Sequence, residues 1–180
     1  SNIRGVDGTV DLTPDKYDDF DLFVAGIHVF IVYKFRSIFS LAIPNLLKSW
    51  QKNPTISDRL RRENTKTFVN AIKKNPIDII SHLNYGCFAD AVEVAKAAAD
   101  YGTLIELNAK KTHLSDEELY KVVNTGVHFV IDSDAHTPLR VGEISLVEKM
   151  LGRINVPESQ IDNINGKLPQ LRFQKFKSGC

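Results

Sequence analysis

Four short apolar runs recur along the chain, each followed by a polar or helix-periodic stretch. They are Leu22 to His28, Ile77 to His82, Thr103 to Asn108 and Val127 to Asp132. Each is rich in β-branched or large apolar side chains with little alternation, the pattern of strands buried on both faces. Between them, residues from about Ser57 to Lys74 carry Leu60, Phe68 and Ile72 at helical spacing. Ala89 to Tyr101 sets Ala91, Val94, Ala95 and Ala98 on one helix face, and Ser115-Asp116-Glu117-Glu118 reads as a capping box opening a helix that ends near Gly126. Val141 to Leu151 and a shorter piece after Pro157 complete the set. Strands alternating with helices predict an α/β fold with a parallel sheet joined by crossover helices.

Residues 29–53 break this alternation. Phe30, Ile31, Val32, Phe35, Ile38, Phe39, Leu41, Ile43, Leu46, Leu47 and Trp50 are interleaved with Lys34, Arg36, Lys48 and Lys52. So much apolar surface has to be buried, against the domain as a helix, under a lid or at a subunit interface. At the other end, Lys167 to Cys180 carries four basic residues with Phe173 and Phe176, and reads as a solvated tail. The expected organisation is one domain over residues 1–164, containing the excursion at 29–53, and a basic tail over 165–180.

At 180 residues and 43% hydrophobic content, the chain has material for a substantial core. Lys and Arg total 23 against 22 Asp and Glu, so the charge of +1 gives no general pull towards nucleic acid or an anionic membrane. Cys87 and Cys180 make neither a disulfide framework nor a metal knuckle, which fits a reducing, cytoplasmic setting. No leader and no apolar stretch near ~18 residues is present, so no membrane partner is expected.

The chemistry concentrates at the strand ends. His28 and His82 close the first two runs, and Asp132-Ser133-Asp134-Ala135-His136 closes the fourth. In parallel α/β architectures the C-terminal ends of strands form one face, so residues far apart in sequence can converge there. A single strand-end histidine is more often structural than a ligand; three strand ends bearing His, His and Asp-x-His point to a metal site at His28, His82, Asp134 and His136. His128, at the start of its run, and His113, in a polar loop, are expected to be structural or exposed. Imidazole with carboxylate suits zinc, manganese or iron better than magnesium or calcium. A divalent ion lowers the pKa of its water from 15.7 to about 7, which makes ester or phosphoester hydrolysis the natural chemistry. Asp132 is open as a further ligand. Lys110, Lys111 and Arg140 are candidate phosphate contacts, with solvated surface charge the plainer account of the lysines.

These elements resemble the PHP (polymerase and histidinol phosphatase) family, especially its stand-alone phosphatase-like branch. The resemblance rests on Val24-Ala25-Gly26-Ile27-His28, Asn64-Thr65, Asp78-Ile79-Ile80-Ser81-His82, Leu104-Ile105-Glu106-Leu107-Asn108, Ser133-Asp134-Ala135-His136 and Val141-Gly142-Glu143. It implies the C-terminal part of a distorted seven-stranded β/α (TIM-like) barrel holding up to three divalent transition metals. By that resemblance His28 and His82 hold one metal with a bridging Glu, Asp134 helps hold a second and His136 a third. Asp134 and His136 would be the catalytic pair, with Arg140 as auxiliary. The family's remaining ligands, an N-terminal His-x-His, further histidines and the bridging Glu, would precede Asn2-Ile3. The chain as given would then be inactive alone, its barrel completed by an N-terminal segment, a second copy or another chain. Departures from the family pattern are Leu83 after His82, Asp132 before Ser133, and Ala109-Lys110-Lys111 in place of a Ser/Asn-rich loop.

Three functions follow as expectations. The first is a metal-dependent phosphoesterase acting on a small phosphate monoester. The second is an incomplete, non-catalytic PHP-type interaction domain. The third is a polymerase-associated nuclease domain, disfavoured by the near-neutral charge and the lack of a stacking groove.

Overall fold

A computed structural model describes residues 1–28, 37–51 and 55–179. Residues 29–36 and 52–54 of the apolar excursion, and Cys180, lie outside the described residues. Four parallel strands, β1 (Val24–Ala25), β2 (Ile79–Ile80), β3 (Leu104–Asn108) and β4 (Phe129–Asp132), pair in sequence order. The register sets Val24 beside Ile79, Ile80 beside Ile105, and Asn108 beside Asp132. Parallel bridges extend the order at both sides, from Asn2 to Gly26 and from Phe129 to Ile161. The chain is therefore an α/β protein with a parallel sheet.

The strands are shorter than the apolar runs. Leu22 to His28 yields two ladder residues, and Ile77 to His82 also two. β3 is buried at all five positions, as a strand covered on both faces must be. Gly26 is where β1 and β2 come closest: a Cβ there would stand 2.6 Å from Ser81 Oγ.

Among the described residues there are six α-helices: α1 (Ile43–Ser49), α2 (Asp58–Lys74), α3 (Ala91–Tyr101), α4 (Asp116–Val123), α5 (Ser145–Leu151) and α6 (Arg172–Lys177). Their ends follow sequence signals. Ser57 caps α2 through Leu60 N, Asp90 accepts from Val92 N and Glu93 N, and Ser115 with Glu118 forms the expected capping box. α3 ends on Gly102 in the left-handed region at φ 68°. α5 starts four residues later than the periodicity suggests, after a 3-10 turn at Pro138–Arg140.

The described part of the excursion, residues 37–51, is a π-helical turn at Ile38–Ala42 running into α1. Asn45 and Asn64 exchange side-chain amide hydrogen bonds at 2.8 and 2.9 Å, and Asn64 also donates to Phe88 O, tying α1 to α2. Leu41 is buried, while Phe39, Leu47 and Trp50 remain exposed. Together with Ile43 and Leu60 from the facing helix, Phe39 and Leu47 line an apolar cleft that contains no histidine.

The stretch read as a solvated tail does not stay in solvent. α6 docks under the start of the sheet with Phe173 fully buried. The Phe173 ring meets Tyr17 at 5.0 Å and Phe23 at 5.5 Å, in edge-on packing. Below it, the buried Asp78 carboxylate accepts N–H bonds of 2.8 Å from both Phe23 and Phe173, joining β1, β2 and α6. Burial raises the Asp78 carboxyl above its ordinary value, and the two amide donors with Arg172 hold it back. Basic charge dominates this stretch in the sequence, and it hid one anchoring aromatic. Among the described residues no helix is long and apolar enough to cross a membrane.

Truncating that anchor tests the docking. Phe173→Ala should destabilise the fold by ~3–5 kcal/mol, read from the urea midpoint, whereas Phe176→Ala, more than half exposed, should cost well under ~1.5 kcal/mol.

Candidate active site

Beyond the C-terminal ends of the strands the chain turns sharply, and polar side chains gather there. His28 stands three residues beyond β1, His82 two beyond β2, Asn108 ends β3, and Asp134 stands two beyond β4. His82 (φ 47°) and Asp134 (φ 42°) both adopt the left-handed backbone that non-glycine residues seldom take. Such strain persists only where the surroundings enforce it, and it clusters at functional sites.

The His28 and His82 rings lie edge-on with centres 5.3 Å apart. His28 Nδ1 lies 2.8 Å from Asn2 Oδ1. Asn2 is itself fixed, donating from its backbone N (2.7 Å) and its side-chain amide (2.6 Å) to the Asp11 carboxylate. His82 is gripped by Glu106, whose Oε2 accepts from His82 N at 2.6 Å and lies 3.0 Å from His82 Nδ1. His113, expected to be structural or exposed, instead joins the cluster: it is half-buried, its ring 5.8 Å from His82 and 5.0 Å from Tyr85. A cavity of about 20 Å³ lies between His113, Glu106 and Asn108, room for one water. His128 sits at the opposite end of its strand, 2.7 Å from Asp162 Oδ1.

The carboxyl groups split into two environments. Glu106 and Asp132 are hydrogen-bonded to each other. Burial pushes Glu106 up, but the bonds from His82 and Asp132 and the His82 charge outweigh it and keep Glu106 ionised. Burial and the Glu106 charge raise Asp132, so the shared proton resides there. Asp132 Oδ1 also accepts from Asp134 N at 3.0 Å, which makes Asp132 a brace within the strand end. Asp134 is more open, and its charge acts on His28, His82 and His113 alike. Beyond the strand ends His28 and His82 are in ring contact, and Asp134 is close enough for its charge to reach both.

His136 lies at the exposed rim, its Nδ1 2.8 Å from Asp134 O. Lys110 reaches it: Nζ is 3.1 Å from each ring nitrogen and 3.8 Å from Asp134 Oδ2. Asn108 folds that loop back by accepting from Lys110 N at 2.9 Å and Lys111 N at 3.0 Å. Lys111 lies over the Tyr85 ring, 5.3 Å from its centre. Arg140 pairs with Glu143 at 3.3 Å.

Two imidazoles sharing one tetrahedral ion at Zn–N distances of ~2.0–2.1 Å have ring centres roughly 5 Å apart, and the His28–His82 spacing agrees with that. Among the described residues, however, no group of three or more His, Cys, Asp or Glu is placed to hold an ion. The pair fits half of a metal shell. The sequence reading missed Glu106 and His113. Glu106 carried a signal, being an acid flanked by apolar residues inside a buried run, where a charge survives only if paired. His113 carried none, because the Asn108 turn that brings it inward is a tertiary feature.

No protein-family model matches the chain. It is similar to a curated protein of Citrobacter koseri named "Probable phosphatase", at 25% identity over 96% of this chain. The chain spans 64% of that relative's length.

Burial of His113, helped by the His82 charge, lowers its pKa from the ordinary 6.5 to about 4. Between these values the unfolded chain binds the extra proton and the folded one does not. Stability of metal-free protein should therefore fall as pH drops from about 6.5 towards about 4, and His113→Asn should flatten that slope in urea titrations at several pH values.

Proposed function

We propose that this chain is the C-terminal part of a metal-dependent phosphoesterase of the PHP type, acting on a small phosphate monoester. The likeness to a protein named "Probable phosphatase" supports phosphatase chemistry in general. The observation that carries the metal-dependent reading is the His28–His82 pair at 5.3 Å under the field of Asp134. The barrel of that family is proposed with it: β1 to β4 and the flanking bridges supply a run of parallel neighbours that a closed β/α barrel would contain.

In this reading His28 and His82 hold one divalent transition ion, zinc, manganese or iron, and Asp134 and His136 contribute to others. Such an ion supplies an acidified water near neutral pH and polarises a phosphoryl oxygen. Asp134, whose charge reaches the imidazoles of His28, His82 and His113, contributes to the donor set. Lys110, reaching in beside Asp134 and His136, binds the phosphate oxygens, and Arg140 adds a second cation when released from Glu143. The remaining ligands belong to an N-terminal segment of the full-length protein or to a second copy. A cytoplasmic location completes the proposal.

A non-catalytic interaction domain is the second reading. It is favoured by the exposed Phe39, Leu47 and Trp50 and by the lack of a three-ligand group among the described residues.

Metal-reconstituted full-length protein assayed against a phosphomonoester panel separates the two. Metal-dependent turnover that His82→Ala reduces to the level of stripped protein is expected. No metal uptake and no turnover would leave the interaction domain. Lys110→Met should raise KM about tenfold with a smaller effect on kcat, the loss of one charge-assisted contact to phosphate.

A further inference from the structure

The two residues that leave the sheet through left-handed backbone, His82 and Asp134, are held by one device. Each strained turn has its own N–H caught by a carboxyl oxygen: His82 N by Glu106 at 2.6 Å, and Asp134 N by Asp132 at 3.0 Å. The two carboxyls belong to neighbouring strands, Glu106 standing beside Val130 and Asp132 beside Asn108. The same Glu106 oxygen that holds the His82 backbone also meets Nδ1 of its ring. We propose that Glu106 and Asp132 are positioning residues: each carboxyl sets the backbone of one site turn, and Glu106 also fixes the ring orientation and tautomer of His82.

The chemistry follows from the donor inventory. With Oε2 of Glu106 at 3.0 Å, Nδ1 of a neutral His82 must carry the proton and donate it, which leaves Nε2 as the basic nitrogen for an electrophile or an ion. A carboxylate behind an imidazole also raises its basicity as a ligand. The side chain of Glu106 is 4% exposed, so water is no substitute for these contacts. Asp132, left open as a metal ligand by the sequence, acquires a different role: its Oδ1 accepts from Asp134 N at 3.0 Å.

The pair also explains which substitutions matter. Asp132→Asn keeps the bond to the turn, its amide oxygen accepting from Asp134 N. Glu106→Leu removes the acceptor for both His82 donors. Glu106→Gln keeps the volume and an acceptor oxygen but loses the charge behind the imidazole.

Imidazole nitrogen chemical shifts of metal-free protein at alkaline pH, where the rings are neutral, give the direct test. Wild type and Asp132→Asn should show His82 protonated on Nδ1, and folded Glu106→Leu should revert to the Nε2–H form. Wild-type His82 protonated on Nε2 would overturn the proposal without any variant, as would a folded Glu106→Leu with an unchanged tautomer. A second readout rests on the metal reading above. Ion affinity, measured by titration, should fall about tenfold or more in Glu106→Gln and by less than about threefold in Asp132→Asn. Failure of any form to bind metal would sink the metal reading while the tautomer result still decides the role of Glu106. Equal affinity losses in the two variants would mean a generic packing defect and would overturn the positioning role.

Discussion

A carboxylate buried inside a parallel strand has given up its water and survives only if every lone pair finds a donor. Glu106 meets that demand, and the site is built around the way it does so. Its neighbours on β3 are apolar and covered on both faces, so the charge cannot escape to solvent. It is satisfied by the backbone and ring of His82 on one side and by Asp132 on the other. Moving any of these partners would leave a buried charge unpaired, at a cost of several kcal/mol. The strained turns at His82 and Asp134 are thus kept where they are by the electrostatics of the strand beneath them.

The starts of α2, α3 and α4 and the alternation of strands with helices were legible in the sequence, because both depend on local signals. The capping residues Ser57, Asp90 and Ser115 sit where the chain places a small polar residue ahead of an apolar-periodic run. The parallel sheet followed from apolar runs alternating with helix-periodic stretches. The fate of Lys167 to Cys180 was not legible: local composition says basic and solvated, whereas Phe173 is captured by Tyr17 and Phe23, which lie about 150 residues earlier in the chain. The short span of β1 and β2 was also hidden, since apolar residues that leave a ladder look the same in sequence as those within it.

At the site, parallel pairing of β1 with β2 brings His28 and His82 together, with Asp134 close enough for its charge to reach both. The strand-end rule named these candidates but not what orients them. Asn2 behind His28 and Glu106 behind His82 are second partners chosen by tertiary contact, and each acts on Nδ1. That shared arrangement assigns Nε2 of both rings as the nitrogen a common ligand would use, which is how imidazoles oriented by outer-shell oxygens serve metals elsewhere. Lys110, beside Asp134 and His136, supplies positive charge at the rim where an anionic substrate would enter.

Diffraction at the zinc absorption edge from crystals of the full-length protein grown with zinc tests the central claim most directly. An ion bonded to Nε2 of both His28 and His82 at about 2.0–2.1 Å, with Asp134 facing the same site, is the predicted result. Zinc bound only elsewhere, or the two imidazoles turned away from each other with Asp134 remote from both, would contradict it.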